Sequence, residues 1–387
     1  MRAGGAACGL QQLRIVCTPV TTFAIAAIAV LAASCAGPEA ESNLGDVDAG
    51  VTDSKDDDGE DEGDDSDLPS SAAGLTWKTD SSAADGRTFY GDRVGRTVFE
   101  VEFTTTVAGE RRWVQGRANI EQSTSSSADP LMMAVAGVGC TPVAGGTTPI
   151  NSISNTQNVI RGTPLRLAPQ LLFIGGAPGA YRCVLSSQGG RPRPTGTFSA
   201  TKFSIASGSY LRVSSPVPAG SDRSYAPKTR SDVLDDGEAL DAAPLEWTAP
   251  AGVTSFRAIG AVKLTTCTSV GGSDDPYDNL PELCGLPEHE LDRTVGSHAR
   301  VVLTVGQYAE GGGYCAITRL PASSATAPAY IDKDSHHEMV YRSLAAVPVS
   351  TAATCTRRFR IKTYVVQTAG PSLIVHKQGT INFVIPN

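Results

Sequence analysis

Residues 99–103 read FEVEF, and the alternation they show recurs along most of the chain. Phe99, Val101 and Phe103 alternate with Glu100 and Glu102, while Val114, Ala118 and Ile120 alternate with Gln115, Arg117 and Asn119. Farther on, Ala299, Val301, Leu303 and Val305 share one parity, as do Phe359, Ile361 and Val365 opposite Arg358, Arg360 and Lys362. A β-strand turns successive side chains to opposite faces, so this pattern marks strands with one face on a core and the other in water. Clusters of glycine, proline, serine and threonine, such as residues 143–149 and 187–196, cut the runs short. Helical spacing is confined to residues 233–243 and to an interrupted stretch at 280–293. The segment LIVHKQGTINFVI at residues 373–385 reads as a hairpin turning near Gly379, with Ile381, Phe383 and Ile385 on one face. The expectation is an all-β chain built as sandwiches or barrels.

Residues 70–387 exceed the usual size of a single core, which predicts two domains, at 75–216 and 217–387. An internal similarity points the same way. GVGC at 137–140 precedes AYRCVL at 180–185, KLTTC at 263–267 precedes GGYCAI at 312–317, and LTW at 75–77 is matched by LEW at 245–247. Either duplication or convergence on similar strand chemistry accounts for it. The similarity pairs Cys140 with Cys183 and Cys267 with Cys315, and leaves Cys284 with Cys355, one of the roughly fifteen connectivities that six cysteines allow. The Cys140 strand together with the Y-x-C at Tyr181 resembles immunoglobulin domains, and the resemblance implies a sandwich architecture only, because no tryptophan lies between Cys140 and Cys183. The expected fold is therefore two tandem disulfide-stapled β-sandwich-like domains after a disordered acidic linker.

That linker follows an export signal. Residues 1–34 carry Arg2 and Arg14 and no acidic residue, with an apolar run at 23–33; even counted from Thr21 to Ala33 it is about two-thirds of the roughly 20 residues a membrane span needs. VLAASC at 30–35 resembles the bacterial lipoprotein signal, with Ala32 standing where that signal favours leucine. The resemblance implies that residues 1–34 are removed, that Cys35 is acylated, and that the protein is a membrane-anchored lipoprotein of the cell envelope. An ordinary secretory peptide cut near Ala33 or Ala36 is the alternative. Beyond Cys8 and Cys17 of the signal, the chain holds Cys35 and six further cysteines, and lipid on Cys35 leaves an even set to pair in an oxidising compartment. In the linker, residues 35–74, the run at 38–68 carries fourteen acidic residues against Lys55 alone, a composition that repels itself and cannot bury enough apolar surface to fold.

The net charge of −8 comes from that run, and the remainder from Ser70 onward is slightly positive, mostly through arginine. The positive charge is too dilute to predict a nucleic-acid partner. No G-x-S-x-G elbow, phosphate loop or dinucleotide fingerprint is present. HELDR at His289 and HEMVY at His337 begin like zinc-protease helices, but Arg293 and Tyr341 stand where the second histidine belongs. The remaining metal candidate is DKDSHHE, where extended backbone puts Asp334, His336 and Glu338 on one face; a solvated loop explains it equally. Asp274, Asp275 and Asp278 form a calcium candidate that turn chemistry also explains. Tyr90, Trp113 and Tyr210 are candidates for stacking on sugars, or for places in a core.

No cofactor is required by this reading, and no catalytic signature. The sequence favours a lipid-anchored surface or periplasmic binding or structural module on an acidic tether, with an envelope glycan or secreted protein as partner. A polymer hydrolase whose carboxylates converge only in three dimensions, and a subunit that assembles through a strand edge, are the alternatives.

Overall fold

In the computed structural model, residues 74–387 are described apart from 82–87, 91–93, 125–130, 146–148, 150, 161, 191–201, 226–230, 236, 269–283, 285–294, 320–328 and 334. The chain is all-β, as the alternation predicts. The first half contributes β1 (Trp77–Asp80), β2 (Thr88–Tyr90), β3 (Arg96–Thr105), β4 (Arg111–Thr124), β5 (Leu131–Pro142), β6 (Asn151–Ile160), β7 (Leu165–Leu167), β8 (Gln170–Ile174), β9 (Gly179–Gly190), β10 (Lys202–Ile205) and β11 (Tyr210–Val217). The second half contributes β12 (Asp222–Tyr225), β13 (Ser231–Leu234), β14 (Ala239–Thr248), β15 (Ser255–Thr266), β16 (Ser297–Ala309), β17 (Tyr314–Arg319), β18 (Ala329–Ile331), β19 (His337–Pro348), β20 (Cys355–Ala369) and β21 (Leu373–Pro386).

Every sheet stays within one half. In the first, β1 and β2 pair with β11 and β10, these flank β4, and β4 pairs on its other side with β8 and β7; the opposing sheet runs β3-β9-β5-β6. In the second, β12 and β13 pair with β21, followed by β15 and β19; the opposing sheet runs β14-β20-β16-β17, with β18 also on β16. Counting each interrupted strand as one position, both halves have eight positions, ordered 1-8-3-6 in one sheet and 2-7-4-5 in the other. That is the order of a jelly roll, the sandwich form in which two Greek keys wrap around one core.

Two local expectations are corrected. Residues 233–243 form the end of β13 and the start of β14 rather than a helical turn: Gly237, with φ +80°, reverses the chain between two strands that pair with β21 and β20. The stretch at 280–293 lies almost wholly outside the described residues. Residues 373–385 are one strand, not a hairpin. Gly379, with φ +95°, makes a bulge, and β21 pairs with β15 on both sides of it.

The bridges join Cys140 to Cys183, Cys267 to Cys284 and Cys315 to Cys355. The first matches the expected pairing, since Cys140 and Cys183 face each other across β5 and β9. The expected Cys267–Cys315 and Cys284–Cys355 pairings are overturned by distance. Cys267 follows β15 at the end of the sandwich where Thr266 meets Ser297, whereas Cys315 and Cys355 flank Ala309 at the other end of β16. Thirteen residues of strand separate the two ends, about 40 Å, far beyond the roughly 7 Å a disulfide spans. Disulfides of this kind accord with an exported protein.

The described residues of both halves belong to one compact unit. Strands β15 and β21 are buried on both faces. Ala258, Val262, Leu264 and Val384 pack inward on the second sandwich, while Ile259, Ala261, Ile381, Phe383 and Ile385 belong to the core of the first, with Phe383 edge-on to Trp113 at 6.0 Å. Within the second sandwich Asn382 is fully buried and donates to the carbonyls of Ala242 (2.9 Å) and Ala243 (2.6 Å), fixing the β14 bulge where Ala243 has φ +45°. Gly260 leaves room for this contact, because a β-carbon there would sit 2.7 Å from Asn382 Oδ1 and 2.1 Å from Thr363 Oγ1. Replacing Asn382 with leucine strands two buried carbonyls and is expected to lower unfolding free energy by about 2–4 kcal/mol, read from the urea midpoint.

Candidate functional site

Where the outer face of β15, β19 and β21 meets β6, the junction becomes polar. On β15 Ala261, Lys263 and Thr265 share that face; their partners on β19 are Tyr341, Met339 and His337, and Lys263 lies opposite His376 of β21. From the first sandwich, Asn155 Nδ2 donates to Tyr341 OH (3.2 Å), Gln157 Nε2 donates to Glu338 Oε2 (3.3 Å), and Thr156 Oγ1 accepts from Lys263 Nζ (3.2 Å). The Asn158 amide donates to the Ser335 carbonyl at 3.1 Å. Four successive residues of one strand thus reach across to the other sandwich.

The Thr265 hydroxyl lies 2.6 Å from both His337 Nδ1 and His376 Nε2. It has one proton to give, so it donates to one imidazole and accepts from the other, which fixes opposite proton placements on the two rings. The His336 ring meets His337 edge-on at 4.7 Å, and its Nε2 is buried with no hydrogen-bond partner. Crowding by protein pushes the group away from charge. Burial lowers His336 to about 4, and burial followed by the Lys263 and His336 charges lowers His376 to about 3. His337 is held well below its usual range by burial and then by His336, Lys263 and His376. Burial alone brings Lys263 down to about 8 and Glu338 up to about 7. Surface remains accessible at the rim, where Lys263, His337, His376, Thr156 and Gln157 are only half-buried.

Sequence reasoning reached part of this site. Of the metal candidates, Asp334 lies outside the described residues. His336 has φ +62°, which breaks the extended backbone that would have aligned His336 with Glu338; Glu338 turns to Gln157 instead. Among the described residues no group of three or more His, Cys, Asp or Glu is arranged to hold a metal ion. The aspartates of 271–279 and Cys35 also lie outside the described residues. Trp113 is fully buried, so it belongs to the core rather than to a sugar platform. Tyr210 is covered by the guanidinium groups of Arg212 (5.0 Å) and Arg117 (5.4 Å), and Arg212 also lies 4.5 Å over Trp77. Tyr90 remains 37% exposed. Lys263, Thr265 and His376 were missed as site residues. Their signal was a charge inside the apolar run AIGAVKL and the placement of all five histidines in the second half.

No family model matches the chain, and no curated protein matches it. Among solved structures it is similar to the IBDV viral particle at 9% identity over 78% of this chain and 71% of that one, with a TM-score of 0.28. It is similar to infectious bursal disease virus Gt strain at 10% identity over 81% and 70%, with a TM-score of 0.27. The N-terminal CBM22-1-CBM22-2 tandem domain from Paenibacillus barcinonensis Xyn10C is 7% identical over 81% and 92%, with a TM-score of 0.21. Likenesses at this level carry no statement about activity, partner or assembly.

The pKa directions set a pH dependence. Between about 6.5 and 4 the unfolded chain takes up protons on His336, His337 and His376 that the folded chain refuses, so stability falls with pH in this window. Glu338 acts oppositely: its raised value stabilises the folded state below about 4.5, and that contribution is lost as pH rises through about 7. The histidines outnumber it, and each unbalanced proton is worth about 1.4 kcal/mol per pH unit. Unfolding free energies from urea titrations at pH 7, 6, 5 and 4.5 are expected to fall steadily. Glu338→Gln should steepen that fall and His376→Gln should flatten it.

Proposed function

We infer that this chain is an exported lipoprotein: cut before Cys35, acylated there, and displaying its paired jelly rolls as a non-catalytic binding or structural module on an acidic tether. The observation that carries the reading is the cysteine accounting. The bridges use Cys140, Cys183, Cys267, Cys284, Cys315 and Cys355 among themselves, so that beyond the export signal Cys35 is the one thiol left for another chemistry. A small-residue run before that cysteine, and an acidic stretch after it that separates it from the first strand, support the same reading. The reading as a module rather than an enzyme is supported by where the unusual side chains sit: Lys263 hydrogen-bonds across the junction to Thr156, and Thr265, His337 and His376 hydrogen-bond to one another beside it, within the second sandwich.

The intact mass of protein extracted from the producing cells' membranes tests it. The expected species begins at Cys35, carries acyl chains, and shows six alkylatable thiols only after reduction; Cys35→Ser is expected to release the protein to the soluble fraction. A soluble wild-type species bearing a free thiol at Cys35 contradicts it.

A further inference from the structure

Lys263 is a cation set into the polar end of the junction. Its ammonium has three N–H donors, yet among the described residues its side chain hydrogen-bonds to Thr156 Oγ1 alone and no carboxylate pairs with it. Uncompensated charge in such surroundings is strongly disfavoured. The neighbouring titratable groups are three imidazoles and one carboxyl. His337 and His376 approach through Thr265, His336 stands behind His337 with an unpartnered Nε2, and Glu338, the nearby acid on β19, is turned to Gln157. Thr268, whose backbone accepts from His336, also has a buried hydroxyl oxygen without a partner. Among the described residues the other neighbours on this sheet face are neutral: Met339 and Tyr341 on β19, and Gly379 at the β21 bulge, whose β-position lies 3.8 Å from the Lys263 stem.

Polar side chains from three strands of one sandwich therefore converge on a half-buried rim that Thr156 and Gln157 of the other sandwich border. A cation is the wrong occupant, because the lysine repels it. The geometry points to an anion site: Lys263, with His337 and His376 beside it and Thr156 opposite, receives a small oxyanion of the phosphate, sulfate or carboxylate class between the two sandwiches. Such a ligand supplies the missing acceptors for the ammonium and makes imidazolium favourable at the same place, so binding strengthens as pH falls toward 6. Because it touches both sandwiches, it also tightens the junction. This inference is independent of lipidation at Cys35.

Calorimetric titration of the full exported chain with inorganic phosphate, at pH 6 and pH 8 and with chloride matching the ionic strength, is the test. The expected result is a saturable heat, stronger at pH 6, and a thermal midpoint that rises with phosphate. In Lys263→Met, which removes the unpaired charge and should fold at least as well as the parent, affinity drops by roughly tenfold or more. Sulfate raises stability generally by exclusion from protein surface, so the comparison with Lys263→Met separates a site from a solvent effect. The absence of saturable heat in the wild type, or an equal phosphate response in wild type and Lys263→Met, overturns the proposal. Should Lys263→Met fold poorly, His376→Gln takes its place: unchanged phosphate affinity and pH dependence in that variant would likewise overturn it.

Discussion

Everything in this molecule is arranged around two strands that serve two cores. A sheet strand normally has a dry face and a wet one, but β15 and β21 have no wet face along most of their length. Their inward residues complete the second jelly roll, and Ile259, Ala261, Ile381, Phe383 and Ile385 complete the first. Burying a side chain of this size stabilises by about 1.5–3 kcal/mol, and here that gain accrues to the contact between halves rather than to either half alone. The consequence is that two sandwiches whose hydrogen-bonded sheets are wholly separate nonetheless make one compact unit.

The same surface changes character along its length. At the Trp113–Phe383 end it is mainly apolar, with the Arg257 guanidinium 5.7 Å over the Trp113 ring and Arg223 donating to the Leu172 carbonyl across the junction. At the β6 end it is set by named hydrogen bonds, Asn155 to Tyr341, Gln157 to Glu338 and Lys263 to Thr156, which are lost if the register moves by one residue. The apolar end supplies adhesion, and the polar end specifies alignment. A polar junction of this kind is stable only when its members are neutral or paired, which is why the imidazoles resist protonation and why an unpaired Lys263 invites an anion.

Much of the fold was legible because alternation is a local signal: FEVEF needs only its own five residues to declare a strand with one dry face. Doubly buried strands were less transparent, since SFRAIGAVKL and INFVI show near-continuous apolar character that says buried without saying against what. The internal similarity was real in architecture but misaligned in sequence. KLTTC ends β15, the third position of its sandwich, whereas GVGC belongs to β5, the fourth position of the other; the topological match of β5 is β16. That error of one position carried the Cys267–Cys315 pairing with it. His336 and Glu338 drew notice through their composition, yet the positive φ at His336, a tertiary feature, is what separated them. Lys263 and His376 are more than 100 residues apart in the chain and meet only through the β15–β21 register, which no local pattern encodes.

The measurement that bears most directly on the shared core is native-state hydrogen exchange across a range of denaturant, resolved by strand. If β15 and β21 bind the two sandwiches into one cooperative body, slow amides of β4, β8 and β9 and those of β15, β20 and β21 merge into one isotherm at a common free energy. Two separate isotherms, with residues 222–386 opening while the first sandwich stays protected, would contradict it.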